Sequence, residues 1–504
     1  MNGLAERKWF FPAAVAAVLL VYLALAGGSL ITKRPYSDEA YQANAALNLI
    51  TRGTPGNSVV EPTGAGNRPR EMVRINIRNY MWLPLPFVIH AGWYKIFGFG
   101  IVQVRSVALL AGLIGLIACG VIVNALLQNR WMALAAKAFL ALDRLYIEIA
   151  SDGRPDMLAA AFCFAGIAAQ LYLRKRNFTA AIIAGQTLVA LGVFTHPIAV
   201  SAFFGSWFLA AWLDWGKLRF RHLAIGAIPY LLCLAGWGLY IAQDPEAFVA
   251  QFSVNLGGRN ASLRAPWAAL WREITVRYLE NYYLPSYSRG LKDMRVLIPV
   301  FYLCAAIGVA VSRELRRTGA RTLLLLTGVY FTVMTFGDGV KPHYYTVHIL
   351  PLLAALMGVW VVWCWTKRPS WRWILGGAVS VFVFLQAGWA IAAIAKDPYH
   401  RSYLPAMAFL KRVAPPPAII MGGSENGFAL GYYANLVDDV DLGYYTGKRP
   451  QFIIVDERGY GQVLLQYKVL RPDLDAYVGK MLSEDCDKVY DDPPYRIYAR
   501  KPGH

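Results

Sequence analysis

Tyr36-Ser37-Asp38-Glu39-Ala40-Tyr41 follows closely on the first long apolar run of the chain, where a spanning helix should leave a bilayer. Two adjacent carboxylates at that depth are costly to desolvate and are rarely kept for packing alone. One reading sets them in a polar cavity at the membrane surface, where a carboxylate can take a proton from a hydroxyl. A plainer reading competes. Ser37 is a good N-cap and acids suit a first helical turn, so Ser-Asp-Glu would simply start a helix over Ala40–Arg52. The hexapeptide alone favours the plainer reading; the rest of the chain favours chemistry.

The 504 residues are 57% hydrophobic and only 16% charged. Soluble domains carry about 25% charged residues, so the composition is that of a membrane protein. The net charge of +19 comes from basic residues clustered in short loops between apolar runs. That is a topology signal and an anionic-lipid signal, and no nucleic-acid motif accompanies it. Cys119, Cys163, Cys233, Cys304 and Cys364 lie in apolar runs and Cys486 stands apart, with no zinc or disulfide spacing. Arg7 and Lys8 precede Trp9–Ile31, which reads as an uncleaved first helix.

Apolar runs long enough to span number about eleven. They are Trp9–Ile31, Val102–Leu126, Trp131–Ile149, Met157–Leu173, Phe178–Thr195, Ile198–Leu213, Leu223–Ile241, Val296–Val311, Thr322–Phe336, Val347–Trp365 and Trp373–Ile394. Asp143-Arg144, inside the third, reads as a buried pair or as that span's outer end. Basic turns at Gln128–Arg130, Arg174–Arg176, Lys217–His222, Arg313–Arg321 and Lys367–Arg372 predict a cytoplasmic N-terminus. The alternate loops then face outward, as does everything after Lys396.

Two outward loops are long. Thr32–Ile101 holds the acidic pair, a basic Pro/Gly-rich segment over Thr54–Arg78, and Tyr80–Phe99, an apolar stretch expected to lie in the interface or re-enter. Ala242–Arg295 is rich in Trp, Tyr and Arg and suits interfacial helices. Residues 1–395 thus read as a transmembrane module with outer loops at 32–101 and 242–295, and residues 396–504 as an extracytoplasmic α/β domain. Strands are expected at Ala418–Met421, Gln451–Val455 and Tyr495–Ala499, with a helix over Leu474–Leu482. Gly422-Gly423-Ser424 faintly suggests a phosphate turn. The tripeptide Asn260-Ala261-Ser262 matches a glycosylation sequon, a pattern common by chance.

Polar residues that packing does not explain gather on the outward side. Asp38 and Glu39 follow the first span, and Asp152, Arg154 and Asp156 fill one tight turn. His196 ends a span, and Lys341, His343, Tyr344 and Tyr345 enter another. Carboxylates, cations and aromatics on one face suit an acceptor hydroxyl, a phosphate and a sugar ring. His90, His222, His348 and His400 show no metal-like spacing and read as interfacial or structural.

Tyr36–Tyr41, the segment ending Ile96-Phe97-Gly98, Val104-Arg105-Ser106, Arg154-Pro155-Asp156-Met157-Leu158 and Lys341-Pro342-His343-Tyr344-Tyr345 form an ordered set. The set resembles GT-C glycosyltransferases of the protein O-mannosyltransferase and lipid A aminoarabinose transferase type (glycosyltransferase family 39-like). The likeness covers the first ten spans, and the C-terminal domain by kind. It implies a polytopic α-helical membrane protein that moves a sugar, with inversion, from a polyprenyl-phosphate carrier to an acceptor hydroxyl outside the cytoplasm. It implies a bacterial inner membrane, with a glycolipid, polysaccharide or protein as acceptor and membrane lipids around it. Asp38 would be the base with Glu39 as neighbour, Asp156 would orient the acceptor or help hold a metal, and Lys341 would pair with the donor phosphate. The sequence departs from the lipid A enzymes at Leu83-Pro84, where they have Lys-Pro, and at Tyr41, often Arg in them. Arg70, Arg74 and Arg78 are further candidates for the phosphate; Tyr41, Arg154, His196, His343, Tyr344 and Tyr345 complete the expected substrate contacts.

One base and cationic stabilisation of a departing phosphate suffice for such a transfer. No cofactor is required by the spacing, although a divalent metal fits paired acids. A flippase for a lipid-linked sugar is the alternative, but it would want ionisable residues near the midplane and broken helices in repeated halves. A scaffold displaying its outer domain is the third reading.

Overall fold

The computed structural model describes residues 9–62, 72–257, 265–280, 293–415 and 417–502. Arg70 and the sequon at Asn260 lie outside them. Among the described residues nine helical segments are long and apolar enough to cross a membrane. They are Phe10–Thr32, Ile101–Leu127, Pro155–Leu173, Pro197–Lys217, Phe220–Ile241, Met294–Val311, Ala320–Gly337, Leu350–Lys367 and Pro369–Val413, the last containing the helix Arg372–Lys396. Phe220–Ile241 leaves Leu231 and Leu232 60% and 69% exposed, the apolar outer surface a membrane-spanning helix presents. The protein is a multi-pass membrane protein.

Two of the eleven expected spans differ. Phe178–Val193 is helical but only 16 residues long. Trp131–Ile149 is two helices, Arg130–Leu142 and Arg144–Ala150, broken at Asp143. Asp143 is fully buried and caps the second helix through the Tyr146 N–H at 3.0 Å. The Tyr302 hydroxyl and the Gln386 amide also donate to it, at 2.8 and 2.6 Å. Arg144 turns instead to Glu148, 3.1 Å away, so Asp143-Arg144 is not an ion pair. A carboxylate with three donors is affordable in an apolar bundle, and its cap is what breaks the helix.

Contacts divide the chain into two units that do not follow chain order. One comprises Met1–Leu30, Ser106–Gly238 and Leu256–Ile394; the other comprises Ile31–Arg105, Leu239–Asn255 and Ala395–His504. In the first, Pro155–Leu173 packs closely on Phe178–Val193. A Cβ on Gly166 would come within 2.8 Å of the Gly185 carbonyl oxygen, the close backbone approach that small residues permit between membrane helices.

The second unit holds a five-stranded sheet: β1 (Ile420–Met421), β2 (Leu436–Val437), β3 (Phe452–Asp456), β4 (Cys486–Asp492) and β5 (Tyr495–Arg500). The order is β2-β1-β3-β5-β4, with β1 parallel to both β2 and β3, and β5 antiparallel to β3 and β4. β2 and β4 have no counterpart in the sequence reading. β2 is two residues long, and β4 is an edge strand that is mostly exposed, so neither shows an apolar alternation. The helix Ser37–Thr51 belongs to this unit; Ala40 shares a core with Val59, Tyr403, Met407, Ile420, Leu436 and Ile497. Val60 pairs with Asp438 beside the sheet. Tyr80–Phe99 contains the helix Leu85–Phe97, which packs Ala91 and Tyr94 against Ala43, Ala46 and Val104. Gly98 ends it at φ +80°, a conformation open to glycine at little cost.

Candidate active site

Asp38 and Glu39 sit in the first turn of Ser37–Thr51, yet their surroundings differ sharply. Glu39 is fully buried and held bidentately by Arg105, whose Nε and Nη2 lie 2.9 and 2.5 Å from its two oxygens. The same guanidinium donates to the carbonyls of Lys33 and Arg34 at 2.7 and 3.0 Å, and the Tyr36 N–H donates to Glu39 at 2.9 Å. Glu39, expected beside the base as a catalytic neighbour, is thereby the anchor of the loop. Asp38 is half-buried. Both acids do stand in a first helical turn, as the plainer reading has it, but the N-cap is Tyr36 and Ser37 lies inside the helix.

Around them, the Tyr41 hydroxyl donates to Asp438 Oδ2 at 3.1 Å, and its ring lies 5.7 Å from that of Trp82. Arg74 pairs with Asp244 at 3.3 Å and with Glu246, and Arg78 Nε donates to Gln243 at 3.0 Å. These two arginines therefore have polar partners inside the second unit. Ser424, after β1, gives its N–H and hydroxyl to Asp438 Oδ2 at 2.9 and 2.5 Å. A carboxylate stands where a phosphate was faintly expected.

The first unit gathers most of the remaining expected residues. Arg154 caps Pro155–Leu173, with Pro155 at the first helical position and Asp156 in the first turn. Arg154 Nε donates to Asp156 Oδ2 at 2.9 Å, and its guanidinium lies 3.6 Å from the centroid of the Tyr344 ring. His196 Nε2 is 3.7 Å from Asp156 Oδ1, and its ring meets Tyr345 edge-on at 4.6 Å. His343 stacks edge-on against Tyr344, with centroids 5.3 Å apart.

His348 completes this group, although its spacing in sequence gave no sign of it. Asp156, His196 and His348 are buried, and one ligand atom from each lies within 4.8 Å of the others. Asp156 Oδ1 and His348 Nε2 are buried without hydrogen-bond partners. Burial and the neighbouring His196 push the His348 pKa down to about 3, leaving a neutral imidazole. Two imidazoles and a carboxylate suit a divalent transition metal. His196 Nδ1 accepts from the Ile198 N–H at 3.3 Å, so ligation through Nε2 requires that long bond to be given up as the proton moves to Nδ1.

Lys341 is also inside. It is 1% exposed, at φ +62°, and its ammonium lies 2.8 Å from Glu273 and against the Thr335 carbonyl. Glu273 also faces Arg277 Nε at 2.7 Å, and Arg277 reaches Asp338 at 2.9 Å. Burial pulls the Lys341 pKa down, against the pull of Glu273. A donor phosphate would have to displace Glu273 to reach this cation.

No protein-family model matches the chain, and no curated protein matches it in sequence. Solved structures match it in fold. ArnT from Cupriavidus metallidurans bound to undecaprenyl phosphate aligns at a TM-score of 0.61 and 15% identity, over 98% of each chain. The apo oligosaccharyltransferase of Archaeoglobus fulgidus aligns at 0.55 and 12% identity, over 99% of this chain and 75% of its own. AglB from that organism, in complex with an inhibitory peptide and a dolichol-phosphate, aligns at 0.54 and 11% identity, over 98% of this chain and 74% of its own. This chain has the GT-C fold. Within this fold the acidic first-loop motif and the small sheet lie in one compact unit, and the Asp156 group lies in the other.

Proposed function

We propose that the protein is an inverting glycosyltransferase that moves a sugar from a polyprenyl-phosphate carrier to an acceptor hydroxyl on the extracytoplasmic side, with a cell-envelope glycolipid or polysaccharide as acceptor. The observation that carries the reading is the division of the acidic pair. Arg105 holds Glu39 in a fully buried clamp, whereas Asp38 beside it is only half-buried and reachable by an acceptor, which supports Asp38 as the base. The shared fold with ArnT and AglB, whose structures hold undecaprenyl phosphate and dolichol-phosphate, supports the donor class. The basic turns support a cytoplasmic N-terminus, and we place the protein in a bacterial inner membrane.

In the reaction the acceptor oxygen attacks the anomeric carbon from the face opposite the phosphate. The bond from that carbon to the phosphate oxygen breaks as the new glycosidic bond forms, and the phosphate leaves with the electron pair. Asp38 takes the hydroxyl proton. Arg154 and, once Glu273 is displaced, Lys341 would meet developing negative charge. Asp156, His196 and His348 would hold a divalent ion, which when bound would supply Lewis-acid charge. The proposal is tested by mass spectrometry of envelope glycans from cells with and without the protein: one glycosidic substituent should vanish. A flippase would instead carry labelled lipid across vesicles without forming any such bond.

The metal reading makes its own prediction. Purified protein stripped with chelator should take up one equivalent of Zn²⁺, read by competition with a chromophoric chelator. His348→Ala should weaken that uptake at least about tenfold. Unchanged uptake in the variant would remove His348 from the ligand set.

A further inference from the structure

The carboxyl ends of β1, β2 and β3 each carry an acid: Glu425 in the turn after β1, Asp438 after β2, and Asp456 at the end of β3. The order β2-β1-β3, all parallel, makes this edge the crevice at which open α/β sheets bind ligands. Two of the acids are already satisfied. Asp438 accepts from Tyr41, Tyr460 and Ser424. Asp456 accepts from the N–H groups of Arg458, Gly459 and Tyr460, and from Arg34 at 3.4 Å.

Glu425 is not. It is 7% exposed, and its Oε2 is buried without a partner. The next residue repeats the pattern: Asn426 is 2% exposed, its amide nitrogen donates to the Gly423 carbonyl at 2.9 Å, and its Oδ1 is buried and unpartnered. Two adjacent acceptors buried without donors are expensive unless a ligand supplies the donors. At Gly423 a Cβ would overlap the Glu425 carboxylate, so the turn is shaped around that group. Burial, reinforced by the charges of Asp456 and Asp438, raises the Glu425 pKa to about 8, with its own backbone N–H and Arg34 opposing. At neutral pH the group is a carboxylic acid that donates one hydrogen bond and accepts others, as a sugar hydroxyl does. One neutral acid and one amide oxygen are a poor cage for a hard cation. Tyr41 lies within electrostatic reach of Glu425, Asp438 and Asp38, which connects this edge to the proposed base.

We propose that Glu425 and Asn426 form a subsite for adjacent hydroxyls of a sugar ring beside Asp38. This rests on the glycosyltransferase reading, and the ring could belong to the donor or to the acceptor. The test uses the full-length protein in lipid nanodiscs. Donor is the polyprenyl-phosphate-sugar fraction extracted from host membranes, and acceptor is the envelope glycan fraction from cells lacking the protein. Glu425→Gln keeps the shape and changes the hydrogen-bonding capacity. It should raise the apparent KM for one of the two fractions about tenfold while kcat stays within about threefold. A shift for the donor fraction assigns the ring to the carrier sugar, and a shift for the acceptor fraction assigns it to the acceptor.

A second measurement separates binding from folding. An acid whose pKa is raised on folding costs stability as pH rises from its unfolded value toward the folded one. The Tm of the unsubstituted protein should therefore fall between about pH 4.5 and 8 relative to that of Glu425→Gln. Unchanged KM for both fractions in a folded Glu425→Gln protein overturns the subsite. If the unsubstituted protein transfers sugar between the two fractions in the same assay, the glycosyltransferase reading survives that loss; if it transfers none, both readings fall.

Discussion

Asp38→Asn is expected to insert and fold as the unsubstituted protein does, and to transfer sugar about a thousandfold more slowly. The side chain is half-buried, so an isosteric amide disturbs little packing. Its neighbour cannot replace it: both Glu39 oxygens are held by Arg105, and releasing either would leave a guanidinium buried and unpaired. The measurement is transfer of radiolabelled sugar by purified protein, with monodisperse elution and thermal unfolding as the fold control. Transfer within tenfold of the unsubstituted rate would discard Asp38 as base and leave Asp156 as the next candidate.

The second large effect concerns stability. Arg105→Ala removes the cation from a carboxylate that is completely buried, along with the donors to the Lys33 and Arg34 carbonyls. A charge left alone in such a place costs about 3–5 kcal/mol. The variant should show a clearly lowered Tm by intrinsic fluorescence in detergent and little accumulation in membranes. Changing both partners to apolar residues of similar size should recover part of the loss, because no charge then remains buried. Recovery stays partial, since the Tyr36 N–H and the two carbonyls keep no substitute partner. A single variant as stable as the parent would show that the clamp does not organise the loop.

Several readings from sequence met structures that only distance along the chain had concealed. Arg105 belongs to the Val104-Arg105-Ser106 motif, but nothing in the spacing says that it closes on Glu39, 66 residues earlier. His348 has no partner near it in sequence; it meets Asp156 and His196 because separate segments of the bundle bring the three together. Lys341 stood out as a lone cation entering a span, yet Glu273, from a loop read only as interfacial, holds it inside. Asp143-Arg144 reads equally as a buried pair or as the end of a span, and only the structure shows a helix break there that turns the two side chains apart.

Hydrophobic run length and composition by themselves determined that this is a polytopic helical membrane protein with a small α/β domain at its C-terminal end, because a bilayer demands long apolar helices and that demand is written locally. Local pattern also marked the acidic hexapeptide and the Arg154–Asp156 turn as unusual. What only tertiary structure decided is how they are held: that Glu39 is the acid anchored by a buried arginine, and that His348 joins Asp156 and His196. Those roles are set by burial and by partners tens to hundreds of residues away, and a linear pattern carries no information about which distant side chain will satisfy a buried charge.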